Sequence, residues 1–275
     1  IGSHGVVNKD WTPKNSPPDY SGYMSLKDAL ASSANTISAR LLARVGVEPI
    51  VRLAQKTGVK SEIPKVASIS LGAVDLKLSE MVGAYSTFAN QGIYTKPITI
   101  TSIEDKNGMV LYRSTPETKD VISKEAAYVT LNLMEGVTQY GSGARLRSEA
   151  SSSYIFKNLV TGHPYEFKNP IAGKTGTTQN QSDGWFMGIV PNLCTGVWVG
   201  ADDRAAHFES VAYGQGAVMA LPIWGLYMKK CYDDKTLNVS TDAFKRPENL
   251  SIEVDCDVFK KKNNQDENMD NEFSF

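Results

Sequence analysis

The tripeptide Lys-Thr-Gly occurs twice in this sequence, in different company. Lys56-Thr57-Gly58 ends a stretch of helical periodicity. There a glycine supplies the left-handed residue that stops a helix and a lysine suits the negative end of its dipole, so a helix cap accounts for this copy. Lys174-Thr175-Gly176-Thr177-Thr178 lies instead in a strand-like run, with Ala172-Gly173 before it. Glycine weakens a strand interior unless another backbone must come close. Two glycines around one lysine therefore predict an approaching substrate: an extended acyl-peptide adding to the strand by main-chain hydrogen bonds, while Lys174 and the threonine hydroxyls meet its carboxylate. A surface lysine in a glycine-rich edge strand is the plainer alternative.

Ser33-Ala34-Asn35 is the one Ser-x-Asn of the chain, placed where one helical pattern stops and the next begins. Ser and Asn are favoured at helix ends because their side chains cap free backbone groups. On such a turn the same two side chains can also face one cleft, the hydroxyl relaying a proton and the amide holding an amine and a carbonyl. Together with the strand lysine they describe acyl transfer through a serine ester, chemistry that needs a nucleophile, a base, a proton relay and an oxyanion hole.

Helices and strands must hold these residues. Ser25-Leu26-Lys27-Asp28 reads as a capping box, followed at helical spacing by Leu26, Ala29, Leu30 and Ser33. Further helical patterns run through Ile37, Leu41 and Leu42, through Ile50, Val51, Leu53 and Ala54 to Gly58, and from an N-cap at Ser79 over Glu80 to Asn90. Pro97 to Ile103 and Met109 to Tyr112 predict a hairpin joined through Asp105-Lys106-Asn107-Gly108. Ser123 opens a long helix that ends before Gly141-Ser142-Gly143. Ile171 to Thr178, Trp185 to Val190 and Cys194 to Gly200 are spaced for an antiparallel meander, in which Trp185 and Phe186 are either core or cleft lining. Val218 to Tyr227 predicts a closing helix, kinked by Pro222 unless that residue sits in the first turn. An extended surface arm is expected ahead of the first helix. From 239 to 275 the composition turns polar, which predicts a disordered tail.

Composition removes other classes. With 29 basic and 30 acidic side chains the net charge is −1, which leaves no field for a nucleic acid. The longest nearly apolar stretch, Ala217 to Met228, contains Pro222 and Gly225 and falls short of the ~20 residues that span a bilayer. Three cysteines and three histidines, widely scattered, offer no metal site, and no cofactor is implied.

The order of these stretches resembles the transpeptidase domain of class A, bifunctional penicillin-binding proteins. The likeness runs from Trp11-Thr12-Pro13-Lys14-Asn15 through Ser25 to Arg40, Ala84 to Asn90, Gly173 to Thr178, Asp183-Gly184-Trp185-Phe186, Gly196 to Gly200 and Pro222-Ile223-Trp224. It implies an α+β class, the penicillin-binding-protein/serine β-lactamase-like fold, with an antiparallel sheet packed between helices and only the last three core strands supplied by this chain. Residues 1–238 would be the transpeptidase domain, incomplete at its N-terminus. Ser33 would pass a proton to the leaving amine, Asn35 would orient the base and the substrate amide, and Lys174 would set a positive potential beside Ser33. Thr175, Gly176, Thr177 and Thr178 would line the substrate site, Thr175 and Thr177 holding the terminal carboxylate of a D-Ala-D-Ala stem peptide and the Thr177 N–H forming half of the oxyanion hole. The partners implied are peptidoglycan stem peptides and β-lactam antibiotics, on the outer side of the cytoplasmic membrane.

One departure stands out. The family's nucleophile and base form Ser-x-x-Lys, and no lysine here has a serine three residues before it. The expectation is that the nucleophile lies on an upstream part of the same gene product, together with the glycosyltransferase domain and membrane anchor, and that this chain is stable only beside that part. A non-catalytic stem-peptide-binding module, and a D,D-carboxypeptidase or β-lactamase, are the rival readings.

Overall fold

The computed structural model describes residues 11–16, 18, 20, 22–147 and 165–255. Helices α1 (Leu26–Ala31), α2 (Asn35–Val45) and α3 (Val47–Lys56) lead, and α4 (Leu78–Ala89) follows a short 3-10 turn at Ala67–Leu71. Ser25 caps α1: its hydroxyl oxygen accepts the Asp28 N–H at 3.0 Å, and the hydroxyl donates to the Asp28 carboxylate at 2.8 Å. Gly58, past the end of α3, has φ of 92°, and a Cβ there would fall 2.2 Å from the Tyr94 hydroxyl, so the first Lys-Thr-Gly is a helix stop. α4 starts earlier than expected. Lys77, not Ser79, is its N-cap, and the Glu80 carboxylate accepts N–H groups from Lys60 and Ser61 at 3.0 and 3.1 Å, fastening α4 to the segment after α3.

Two short antiparallel ribbons come next. β2 (Ser102–Glu104) and β3 (Val110–Arg113) form the expected hairpin, while β1 (Ile93–Thr95) pairs with β4 (Thr118–Asp120), which no periodic signal announced. The hairpin is not the two-residue Asn-Gly turn. Asp105 N–H bonds to Met109 O at 2.9 Å, and only Gly108 takes positive φ, at 82°, as in a type I turn followed by a bulge. α5 (Lys124–Gln139) is capped by Ser123, whose hydroxyl accepts the Ala126 N–H at 3.1 Å.

The central sheet is the predicted meander, β5 (Ala172–Thr177), β6 (Asp183–Val190) and β7 (Leu193–Gly200), antiparallel in that order. Lys174 stands opposite Met187, Thr175 opposite Phe186, and Trp185 opposite Trp198. Alternation along β6 separates two cores. Phe186 and Val190 join Leu146, Ile171, Leu221, Trp224 and Met228 beneath the last helix, while Ile189 joins Ala172 with Leu131 and Met134 of α5 on the other face. The sheet is thus sandwiched between helices, as expected.

Beyond a short α6 (Val211–Gly214), α7 runs over Gly216–Asp233 with Pro222 well inside it, so the helix is longer than predicted and passes through the proline. An interior proline costs about 3 kcal/mol. Ala220, Leu221, Trp224 and Met228 are each 1% exposed or less, and burial at ~1.5–3 kcal/mol for a large apolar side chain outweighs that cost. The last helix lies close because β6 has glycine beneath it: a Cβ on Gly188 would sit 2.3 Å from the Trp224 ring.

The expected disordered tail needs correcting in its first part. Residues 239–255 have no regular structure, yet Phe244 is buried with Leu131, Met134 and Ile189, and the Glu125 carboxylate accepts the Ser251 hydroxyl at 2.7 Å. One aromatic in a polar run suffices to dock it on α5. The lysine run at 260–262 and the polar stretch after it lie outside the described residues, as do residues 148–164.

Candidate active site

Lys174 projects from edge strand β5, and its ammonium donates to the Ser33 hydroxyl oxygen at 2.8 Å, joining groups 141 residues apart in sequence. It also donates to Thr175 O at 2.9 Å. The stem runs along an apolar hollow of about 130 Å³ lined by Leu26, Leu30, Ile37, Leu41 and Leu133 with Ser33. Burial there lowers the lysine pKa from 10.5 to about 8, because an ammonium loses hydration in apolar surroundings.

Ser33 occupies the junction between α1 and α2 with φ of 58°, the left-handed region that a serine enters at a cost of about 1 kcal/mol. Its oxygen accepts from Lys174, so its own hydrogen is free to point into the cleft. α1 ends where Ser142 N–H donates to Ala31 O at 3.0 Å. A Cβ on Gly141 would lie 2.3 Å from Ala31 O, so only glycine lets the loop after α5 approach the Ser33 turn this closely.

Asn35 is the first residue of α2, and its amide is turned to the N-terminal arm, donating to Lys14 O at 2.7 Å. Asn15 completes that contact by accepting the Thr36 N–H at 3.0 Å. The arm is therefore docked on the start of α2, and Asn35 sits two residues from Ser33 without bonding to it or to Lys174 among the described residues.

The hydroxyls along β5 go to different places. Thr175 Oγ1 lies 2.6 Å from Ser142 Oγ, a residue the sequence left without a role. Thr177 Oγ1 accepts the Gly216 N–H at 3.0 Å, which fixes the oxygen at the start of α7 and leaves its hydrogen to donate outward. Thr178 belongs to the turn, not to the cleft: its hydroxyl accepts the Asp183 N–H at 2.8 Å and lies 2.9 Å from Ser182 Oγ. That is a correction to its expected place in the substrate site. The two glycines need correcting as well. A Cβ on Gly173 would meet Met187 O at 2.8 Å, and one on Gly176 would meet Trp185 Cβ at 3.1 Å, so packing inside the protein accounts for both without a substrate.

Sequence reasoning missed Asp183. Only 6% exposed, it accepts the Trp198 indole N–H at 2.9 Å and the Ser182 hydroxyl at 3.0 Å, with Arg204 Nε at 3.4 Å. Burial pushes its carboxyl up, and the hydrogen bonds from Trp198, Ser182 and Thr178 with the Arg204 charge more than reverse this, leaving it below the usual carboxylate range. The advance signal was its place in the stretch Asp183-Gly184-Trp185-Phe186, which gave the acid no role of its own. Phe186 proves to be core, fully buried, whereas Trp185 is half-buried against Trp198 at 6.5 Å between ring centroids. Among the described residues no group of three His, Cys, Asp or Glu side chains is placed to hold a metal ion.

A lysine, a strained serine and three further hydroxyls gather around one sheet edge. Residues 3–203 match the penicillin binding protein transpeptidase domain, and the chain belongs to this family. It is 32% identical over 249 residues to penicillin-binding protein 1A of Aquifex aeolicus, covering 90% of this chain and 30% of that protein. It is also 32% identical over 234 residues to penicillin-binding protein 1A of Neisseria gonorrhoeae, covering 83% and 26%. The chain thus spans less than a third of these relatives' length. The crystal structure of penicillin-binding protein 1A from Haemophilus influenzae superposes with a TM-score of 0.71 at 26% identity, over 90% of this chain and 39% of that one. PonA1 from Mycobacterium tuberculosis in complex with penicillin V shares the fold with a TM-score of 0.70 at 23% identity, over 89% and 65%.

Proposed function

We propose that this chain forms the cleft of a peptidoglycan D,D-transpeptidase, a serine-type acyltransferase that β-lactams acylate, with the attacking serine supplied by a segment outside the sequence at hand. The observation that carries this reading is the Lys174–Ser33 hydrogen bond of 2.8 Å. With a pKa of about 8, Lys174 is mostly protonated at pH 7. Its charge favours an oxygen that is giving up its hydrogen, so Ser33 gives its proton to the departing amine as it takes up the one the attacking serine loses, and the relay runs in reverse when an acceptor amine attacks. Thr177, with its oxygen already bonded to Gly216 N–H, and the Thr175–Ser142 hydroxyl pair each present a hydrogen to the terminal carboxylate of the stem peptide. The Thr177 N–H contributes half of the oxyanion hole, a donor whose loss typically costs about 3 to 4 kcal/mol of transition-state stabilisation. Asn35 acts on the substrate amide from the arm-bound start of α2. Residues 1–238 make up the C-terminal portion of the transpeptidase domain, incomplete without the segment that carries the serine, and the substrate lies outside the cytoplasmic membrane.

The absence of Ser-x-x-Lys from the sequence favours a second reading, a stem-peptide-binding module without catalysis. Incubating the protein from its source cells with a labelled D-Ala-D-Ala stem peptide and an amine acceptor separates the two. Cross-linked product with release of D-Ala supports the transpeptidase, hydrolysed product alone a carboxypeptidase, and binding without release the module.

A further inference from the structure

Gly141-Ser142-Gly143 wraps the open edge of the sheet. The chain leaves α5, whose Leu131 and Met134 lie under one face, and reaches Leu146 under the other. Ser142 is the middle of that wrap and touches both halves of the cleft. Its N–H donates to Ala31 O at 3.0 Å, just before Ser33, and its hydroxyl lies 2.6 Å from that of Thr175. We propose that Ser142 makes the site selective for acyl donors with a free terminal carboxylate, by pairing with Thr175 so that the one free hydrogen of the two hydroxyls is aimed into the cleft.

Proton counting supports this. Two hydroxyls in mutual contact share one hydrogen between them, and the pair retains one other. If Ser142 donates to Thr175, the free hydrogen is on Thr175; in the reverse arrangement it is on Ser142. Either way the pair offers a single donor, and because the shared hydrogen already fills the line between the two oxygens, that donor cannot turn inward. The same logic governs the neighbours: Ser33 oxygen is held by Lys174 and Thr177 oxygen by Gly216 N–H, at 2.8 and 3.0 Å. Three hydroxyl donors around one edge are thus aimed outward before any substrate arrives, and an anion that accepts them meets a preorganised site. Without the Ser142 hydroxyl, Thr175 regains its rotation.

This inference rests on the acyl-transfer reading above, and its test separates the two. Ser142→Ala keeps the backbone bond to Ala31 and removes only the hydroxyl, and thermal unfolding of the variant confirms that the fold is retained. Acylation rates are measured on the protein expressed from its own gene, with a penicillin bearing its free carboxylate and with the methyl ester of the same penicillin. A Thr175 donor free to turn away from the carboxylate weakens that charge-assisted bond without removing it, which predicts up to about a tenfold fall with the free acid and little change with the ester, so the acid-to-ester ratio drops by up to about tenfold. Ser142→Thr, which restores a hydroxyl, should recover the ratio to within about threefold. An unchanged ratio in Ser142→Ala, or an equal fall with both compounds, overturns the inference while leaving acyl transfer intact. Wild-type protein that takes neither compound overturns the acyl-transfer reading and the inference with it.

Discussion

Lys174→Met should make the fold more stable near neutral pH while disabling the cleft. Methionine matches the length of the lysine stem and suits the leucines and isoleucine that line its hollow. Burial moves the lysine pKa from 10.5 to about 8. At ~1.4 kcal/mol per pH unit the folded state carries a penalty of at most ~3 kcal/mol, nearer 2 once the remaining solvent contact is counted. The sign follows from proton binding. Between pH 8 and 10.5 the unfolded chain holds the proton more tightly than the folded one, so wild-type stability rises with pH across that window, and below it the full penalty applies. The substituted methionine has no proton to lose. The stability of Lys174→Met relative to wild type should therefore be greatest at pH 7 and shrink by about 2 to 3 kcal/mol towards pH 10.5, other groups cancelling in the difference. Urea unfolding followed by the fluorescence of Trp185, Trp198 and Trp224, all in or against the sheet, reads this directly. Penicillin acylation of the same variant should fall by about a hundredfold or more, the scale of losing one preorganised electrostatic contact. A stability difference that does not change with pH, or acylation at the wild-type rate, would refute the reasoning.

Ser33→Gly relieves the left-handed strain at φ of 58° and removes the relay hydroxyl, so urea midpoints should hold or rise slightly while acylation drops sharply; a matching loss of both would show the hydroxyl to be structural. Asp183→Ala strands the Trp198 indole N–H, while Arg204 keeps its pairing with Asp75, and should cost about 1 to 3 kcal/mol in urea unfolding. Because the Asp183 carboxyl is held below its ordinary range, the stability it contributes is whole at neutral pH and fades as the pH falls through and below that range, so Asp183→Asn should flatten the acid limb of the stability profile. Gly173→Ala forces a Cβ to 2.8 Å from Met187 O, and should cost about 1 to 3 kcal/mol and slow acylation by displacing Lys174.

The parts of the fold visible in the sequence were those whose signals are local. Ser25 and Ser123 announced their helices because an N-cap bond spans three residues, and the β5–β6–β7 meander was legible because its β-rich runs are separated by short stretches of turn residues. The site was half legible. The two copies of Lys-Thr-Gly differed in surroundings, and the copy singled out is the one whose lysine lies beside Ser33. What stayed hidden depends on distant contacts. The β1–β4 ribbon joins two three-residue strands with no period of their own, and Glu80 sets the start of α4 through Lys60 and Ser61. Gly173 and Gly176 looked like marks of a substrate because their true neighbours, Met187 and Trp185, lie on the adjacent strand. Thr178 followed the motif in sequence but turns to Asp183, five residues on. Phe244 shows the same limit, since nothing within a polar run tells which single aromatic will find a core.

The most direct measurement is to acylate the protein from its source cells with penicillin, digest it and locate the ester by mass spectrometry. The expected result is a penicilloyl group on a serine outside these 275 residues, with Ser33 unmodified. An ester on Ser33, or on any other serine of this chain, would contradict the division of labour between a delivered nucleophile and the Ser33–Lys174 pair.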